Sequence, residues 1–199
     1  MARNILKVLF AGMVFWGVST AALAVDGASL PKAKQTTLGL YLTPKEAYEM
    51  ITKDPAHILF VDIRTRAEVN FLGMPTIADA NIPYMKLSEW YGWDGKKNSF
   101  KMELNDEFLV KIRERLAAKA LTKNDKIVFI CRSGDRSAAA TNLLAKDGYT
   151  NVYSIVTGFE GDKAKDGPQK GLRVVNGWKN SGLPWTYNLV ASKMYISAE

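Results

Sequence analysis

An apolar run that ends at the single cysteine of the chain constrains the fold most strongly. Residues 127–130 are consecutive apolar residues, and Cys131 follows them directly. A short apolar run of this kind is typical of a strand that is buried on both faces of a parallel sheet. Residues 137–146 have helical character, and Gly148 lies where a helix commonly ends. The sequence therefore predicts a strand, a tight loop and a helix in succession, which is one unit of an α/β fold.

The same alternation of strands and helices recurs along the chain. Thr43 and Glu46 have the spacing of a capping box, and Pro44 follows Thr43 at the first helical position. This pattern predicts the start of a helix. A second helix is predicted over residues 108–116, capped by Asn105. Strands are predicted at residues 57–63, 80–83 and 152–155. The predicted fold class is α/β, with a mainly parallel central sheet flanked by helices.

The first 24 residues have the pattern of a secretory signal peptide. Arg3 and Lys7 give a positive start, an apolar stretch follows, and residues 22–24 form an A-x-A cleavage site. An uncleaved membrane anchor is the alternative interpretation, because about 20 apolar residues can span a bilayer. The short apolar core favours the signal peptide. We therefore expect a periplasmic or secreted protein that begins near Val25 and keeps no stable membrane anchor.

The rest of the chain has the length of one domain. Residues 25–42 are small and polar, which predicts a mobile N-terminal segment. Residues 43–190 are predicted to form the domain, and residues 191–199 a C-terminal tail. Within the domain, residues 88–101 predict a long loop whose aromatic side chains pin it to the core or, alternatively, cover the site. These aromatic residues are Trp90, Tyr91, Trp93 and Phe100.

Composition and motifs exclude several classes of function. The net charge is +7, but the basic residues are scattered, and no Lys/Arg run with interleaved aromatic residues indicates nucleic-acid binding. One cysteine and one histidine, His57, are too few for a structural zinc site. The sequence has no G-x-x-x-x-G-K-[ST] nucleotide loop. We therefore expect no metal site, no such nucleotide site and no nucleic-acid partner.

The position of Cys131 indicates chemistry. Ligands bind beyond the carboxyl ends of parallel strands, and both Asp62 and Cys131 lie at such ends. The loop after Cys131 aims backbone N–H groups inward, and the helix start, Arg132 and Arg136 add positive charge. These surroundings favour a thiolate nucleophile and can also hold an oxyanion. An inert buried cysteine and a dimer-forming cysteine are the alternatives, but neither explains the two arginines and Gly134 so close to the thiol.

Four segments, taken in order, carry a resemblance to a known family. They are FVDIRTRAEV at residues 60–69, ANIPY at 80–84, IVFICRSGDRSAAA at 127–140 and GWKNSGLPW at 177–185. Together they resemble the single-domain rhodaneses, which are sulfurtransferases, and the loop around Cys131 is the most specific of the four. The resemblance implies a rhodanese-like three-layer α/β domain.

The resemblance also implies roles for individual residues. Cys131 would receive a sulfane sulfur atom as a persulfide, with no other cofactor. The substrate-binding residues of the loop would be Arg132, Ser133, Gly134, Asp135, Arg136 and Ser137. Asp62, Arg64 and Glu68 would support the neighbouring strand end, with Arg64 paired to Glu68.

The implied reaction moves sulfane sulfur from a small anionic donor, such as thiosulfate, to a thiophilic acceptor. A periplasmic redox or sulfur-carrier protein is a further expected partner. The chain departs from the family at Gly73-Met74-Pro75, where Gly-His-Ile is frequent, and residues 160–176 are an extension without an assigned role.

Two alternative functions remain open. Cys-dependent phosphatases and arsenate reductases have loops that resemble Cys-x5-Arg, whereas Cys131 and Arg136 are spaced as Cys-x4-Arg, and the smaller loop favours a persulfide over a phosphate. Rhodanese-like modules that bind a partner or sulfur-carrier protein without turnover commonly lack the cysteine, which this chain keeps.

Overall fold

The structure is a computed structural model that describes residues 25–196 except Glu89 and Tyr91. The predicted signal peptide at residues 1–24 lies outside the described residues. The helices are α1 (Pro44–Lys53), α2 (Arg66–Leu72), α3 (Phe108–Ala118) and α4 (Asp135–Lys146), and short 3₁₀ helices span Gly27–Ser29, Lys32–Lys34 and Ala191–Lys193. The strands are β1 (Tyr41–Leu42), β2 (Ile58–Asp62), β3 (Met74–Pro75), β4 (Ala80–Asn81), β5 (Met85–Leu87), β6 (Trp93–Asp94), β7 (Ser99–Phe100), β8 (Met102–Leu104), β9 (Lys126–Ile130), β10 (Val152–Ile155) and β11 (Trp185–Thr186).

A five-stranded parallel sheet forms the centre of the molecule. Its strand order is β1-β10-β9-β2-β4, and each neighbouring pair is parallel. Every residue of β2 is buried, as are four of the five residues of β9. The predicted α/β fold with a mainly parallel central sheet is therefore confirmed.

Helices cover both faces of this sheet. Alternate side chains of a strand point to opposite faces, so Leu59 and Val61 of β2 pack with α3 and α4 in one apolar cluster. Ile58 and Phe60 pack with α1 and α2 in a second cluster on the other face. This arrangement of helices, sheet and helices is the expected three-layer architecture.

The capping residues at the start of α1 are those expected from the sequence. The Thr43 hydroxyl accepts the N–H of Glu46, and the Glu46 carboxylate accepts the N–H of Thr43 over 2.7 Å. Pro44 occupies the first helical position, where no N–H partner is lost. The helix α3 begins at Phe108 as expected, but its cap residue is Glu107 and not the predicted Asn105, whose side chain donates to the carbonyl of Pro83 and accepts the N–H of Glu107.

The segment over residues 25–42, which the sequence predicts to be a mobile N-terminal segment, packs on the domain. Tyr41 and Leu42 form β1 and extend the sheet along β10. The N–H of Thr37 donates to the side chain of Asn142 on α4 over 2.8 Å. Lys34 forms an ion pair of 3.1 Å with Asp162. Sequence composition alone did not reveal these contacts because they join residues more than 100 positions apart.

The exposure of the aromatic side chains in residues 88–101 differs from the prediction that they pin a loop to the core. Trp90 is 88% exposed, and Trp93 and Phe100 are more than half exposed. The segment forms part of an antiparallel ribbon, in which β5 pairs with β8 and β6 with β7. The ribbon leaves the domain after β4, and Trp90, Trp93 and Phe100 face solvent.

The C-terminal part of the chain closes the α1–α2 side of the domain. Trp178 is fully buried against Phe60, and its indole N–H donates to the carbonyl of Pro184 over 2.9 Å. Beyond it, Lys193 donates to the carbonyl of Ala78 over 2.7 Å, so the tail also contacts the domain. Among the described helices, none is long and apolar enough to cross a membrane.

Candidate active site

The thiol of Cys131 lies in a cradle of backbone N–H groups at the start of α4. Cys131 follows β9, and the N–H of Gly134 points at its Sγ over 3.1 Å. The N–H of Ser137 points at the same sulfur atom over 3.4 Å. Both groups belong to the first turn of a 12-residue helix, whose N-terminus carries a partial positive charge. This geometry stabilises a negative charge on the sulfur.

Gly134 allows the loop to close on the thiol. Its φ of +106° lies in the left-handed region, and a Cβ at this position would be 2.2 Å from the carbonyl oxygen of Val156. A side chain is therefore excluded both by backbone conformation and by space. The thiol that the loop encloses is only 1% exposed.

The segment that follows β10 holds the loop from outside. The N–H of Phe159 donates to the carbonyl of Cys131 over 2.8 Å, and the N–H of Glu160 donates to that of Arg132 over 3.0 Å. At Gly158, with φ +62°, a Cβ would lie 2.5 Å from the Cys131 carbonyl oxygen. Sequence reasoning missed this segment. The glycines on either side of Phe159 and Glu160, directly after the predicted strand at 152–155, are the pattern that could have indicated it.

Arg136 is bound to Glu68, which links α4 to α2. Its two terminal nitrogens donate to the two carboxylate oxygens over 2.7 and 2.6 Å. Burial alone would raise the pKa of Glu68, but the hydrogen bonds and charge of Arg136, with the N–H of Thr65, lower it to about 2. Burial would likewise lower the pKa of Arg136, yet Glu68 raises it, with smaller contributions from Cys131 and Asp62. The guanidinium therefore stays charged near the sulfur.

Arg64 pairs with Asp62, so the prediction that it pairs with Glu68 is wrong. Its Nη2 lies 2.5 Å from a carboxylate oxygen of Asp62 and also donates to the carbonyl of Gly73 over 2.7 Å. The guanidinium lies 3.9 Å from the ring centroid of Phe159. Glu68 is unavailable to Arg64 because its carboxylate turns back to cap α2 at Thr65 and binds the arginine of the loop.

The remaining loop residues face away from the sulfur. Arg132 is about half exposed and pairs with Glu160 over 2.9 Å. Ser133 and Asp135 line a cleft of about 940 Å³ between the N-terminal segment and residues 162–175. Ser137 is buried, and its hydroxyl has no hydrogen-bond partner among the described residues. The structure thus brings the N–H groups of Gly134 and Ser137 to Cys131, holds Arg136 against Glu68, and directs the side chains of Arg132, Ser133 and Asp135 away from the sulfur.

This arrangement can stabilise an anion at the sulfur of Cys131. Two N–H groups and a helix start surround the sulfur, and a permanently charged arginine lies nearby. Within the described ranges, no cluster of three or more His, Cys, Asp or Glu side chains could hold a metal ion.

Comparisons with known proteins agree with this geometry. A model of the rhodanese-like domain family matches residues 43–165. An uncharacterized protein of Rickettsia rickettsii is 32% identical over 142 residues, which cover 71% of this chain and 93% of the relative. An uncharacterized protein of Rickettsia prowazekii is 31% identical over 143 residues, with the same two shares of coverage. The crystal structure of Rv0390 from M. tuberculosis is similar with a TM-score of 0.51 and 28% identity, covering 74% of this chain and 97% of that one.

Proposed function

The chain belongs to the rhodanese-like domain family, and from that premise we propose that it is a sulfurtransferase that carries sulfane sulfur on Cys131. The observation that supports this most is the sulfur atom of Cys131 facing the N–H groups of Gly134 and Ser137. A persulfide needs the same support as a thiolate, because its terminal sulfur carries negative charge at neutral pH. One cradle can therefore serve the free and the loaded states.

The first half-reaction is a displacement at the outer sulfur of a small anionic donor such as thiosulfate. The Cys131 thiolate forms an S–S bond to that sulfur, the S–S bond of the donor breaks, and sulfite leaves with the electron pair. Negative charge stays on the loop throughout, so the two N–H groups and Arg136 stabilise it without reorganisation.

The second half-reaction returns the thiolate. A thiophilic acceptor, such as cyanide or a small thiol, attacks the terminal sulfur of the persulfide, and the Cys131 sulfur leaves as thiolate. Two separate half-reactions imply ping-pong kinetics. A periplasmic redox or sulfur-carrier protein is a further acceptor that we propose, and export of the mature chain would bring it there.

The proposal is tested by measuring intact mass after incubation with thiosulfate. We expect the wild-type protein to gain the mass of one sulfur atom and to lose it again when cyanide is added. Cys131→Ser should gain nothing while keeping its melting temperature within a few degrees, since a hydroxyl is close in size to a thiol. A serine variant that still forms thiocyanate at the wild-type rate would contradict the assignment of Cys131.

A binding module without turnover is the second candidate function. The 1% exposure of the thiol favours it, because a large acceptor cannot reach the sulfur in this conformation. A wild-type protein that never gains sulfur from thiosulfate or a polysulfide would support this candidate. A phosphatase is less well supported, because Arg136 donates to both oxygens of Glu68 and is not free to bind a phosphate.

A further inference from the structure

Residues 85–104 form an antiparallel ribbon that the proposed sulfur chemistry does not use. Its strand pairs place Met85 opposite Leu104, Leu87 opposite Met102, and Trp93 opposite Phe100. The ribbon joins the domain at its base, where the N–H of Asn105 donates to the carbonyl of Tyr84 over 3.0 Å. Two-stranded ribbons are at best marginally stable in water. The stability of this ribbon therefore depends on what its faces contact.

One face of this ribbon is apolar. Directly opposite residues of an antiparallel pair share a face, and so do alternate residues along one strand. In the β5–β8 pair, Lys86 and Glu103 therefore lie on one face, and Met85, Leu87, Met102 and Leu104 form the other. In the neighbouring β6–β7 pair, Trp93 lies directly opposite Phe100.

Beyond Met85, which packs against the core of the domain, the apolar face is largely open to solvent. Leu87, Trp93, Phe100 and Leu104 are each between 51% and 59% exposed, and Trp90, between the two strand pairs, is 88% exposed. Trp93 and Phe100 pack edge to face against each other, with ring centroids 5.5 Å apart. A cluster of large apolar side chains at the surface marks a docking site for a membrane or another protein.

The tip of the ribbon is basic. Lys96 and Lys97 lie in the exposed turn, and Lys101 follows Phe100. Asp94 is the acidic residue of this turn, and its carboxylate accepts the N–H groups of Lys96 and Lys97 over 3.1 and 3.2 Å. The second carboxylate oxygen lies 3.8 Å from the Nζ of Lys97, whose side chain nevertheless remains 78% exposed, and Lys96 is exposed as well.

We propose that the ribbon binds the surface of an anionic membrane. Trp side chains are favoured at the boundary between headgroups and acyl chains, and lysines near an anionic surface add electrostatic attraction. Protein–protein interfaces are also enriched in aromatic residues, but they are depleted in lysine. Exposed aromatic side chains next to basic residues at the tip therefore favour lipid over a partner protein or a second copy of this chain.

The test is sedimentation with lipid vesicles. The wild-type protein should sediment with vesicles of equal parts phosphatidylcholine and phosphatidylglycerol and remain in solution with phosphatidylcholine alone. Trp93→Ser/Phe100→Ser and Lys96→Glu/Lys97→Glu should each weaken binding by about tenfold or more. Phe71→Ser, which changes a 75% exposed side chain on α2, and Lys45→Glu/Lys53→Glu, which changes exposed lysines on α1, are the matched controls and should bind as the wild type does.

Several outcomes would overturn the proposal. One is failure of the wild-type protein to bind the anionic vesicles, and another is equal binding by the ribbon variants. A third is a dimer in light scattering that Trp93→Ser/Phe100→Ser converts to monomer, which would assign the apolar face to a second copy. Sedimentation and light scattering do not measure sulfur loading, so failure of this proposal and failure of the proposed function can be told apart.

Discussion

At Gly134 the backbone turns through the left-handed region and passes close to the carbonyl of Val156, while its N–H points at the sulfur of Cys131. Gly134 thus both shapes the loop and supplies one of the two N–H groups that face the thiol. The charged neighbours act less directly. Arg132 and Arg136 were expected to present their charge to an anion, but each is paired with a carboxylate.

We expect Gly134→Ala to destabilise the protein and to prevent sulfur loading. The positive φ and the close approach of Val156 together should cost about 3 kcal/mol, and relief of the clash should move the N–H away from the sulfur. The measurements are urea unfolding and intact mass after thiosulfate. Gly148→Ala is the matched control, because φ is +85° there but the space is open, and it should cost about 1 kcal/mol without affecting loading. Equal loading by both variants would refute this role of Gly134.

The Glu68–Arg136 pair should make stability depend on pH in the acid range. The folded pKa of Glu68 is depressed to about 2 from 4.5, so its contribution is present above pH 4.5 and is lost as pH falls toward 2. The full contribution is about 3 kcal/mol. The free energy of unfolding of Glu68→Gln should therefore differ from that of the wild type most at neutral pH, and the difference should shrink below pH 4.5. A difference that stays constant from pH 7 to pH 2 would contradict the shifted pKa.

At the scale of elements, the sequence was most informative where structure is local. The capping box of α1 and the buried runs of β2 and β9 follow from residues that are adjacent in the chain. The partners of Arg64 and Arg136 could not be predicted in the same way, because Glu68 lies at helical spacing from Arg64 yet turns toward a loop 68 residues away. The segment after β10 was missed for the same reason, because its hydrogen bonds are with the loop that follows a different strand, β9.

The α1 cap gives an element-scale prediction that separates stability from chemistry. Thr43→Ala should lower the free energy of unfolding by about 1 kcal/mol, because the N–H of Glu46 loses its acceptor. Sulfur loading should be unchanged, since the hydrogen bonds of this cap join Thr43 to Glu46 and not to the loop that follows Cys131. Thr52→Ala, at an exposed position of the same helix, should stay within about 0.5 kcal/mol of the wild type in urea unfolding. A loss of loading in Thr43→Ala would show that α1 and the site are coupled.

At the scale of the whole molecule, the alternation of apolar runs and helices was enough to predict an α/β fold with a mainly parallel sheet, and the resemblance to the rhodaneses added the three layers. The packing of residues 25–42 and of the segment around Lys193 was not predictable, because docking of a short polar segment depends on which surface it meets. Residues 25–42 show this most clearly. Lys34 pairs with Asp162, and its side chain would lie 3.3 Å from a Cβ at Gly134, so residues 25–42 lie beside the loop that follows Cys131.

Export is the prediction that belongs to this scale. Expressed with its natural N-terminus in a bacterial host, the protein should be recovered from the periplasm or the medium, and N-terminal sequencing should begin near Val25. Replacing Ala22 and Ala24 with bulky residues should block this cleavage, while Ala28→Leu beyond the site should not. A membrane-bound form that retains Met1 in the unaltered protein would favour the anchor instead.

The near-complete enclosure of the thiol has a consequence for the timing of sulfur delivery. A sulfur atom attached to Cys131 would be out of reach of bulky reductants, and only small nucleophiles could remove it without movement of the loop. The loaded protein would then behave as a reservoir, whose lifetime depends on the size of the molecules around it more than on their reducing strength. Delivery to a large acceptor would wait for that acceptor to loosen the Arg136–Glu68 link between the two helical layers.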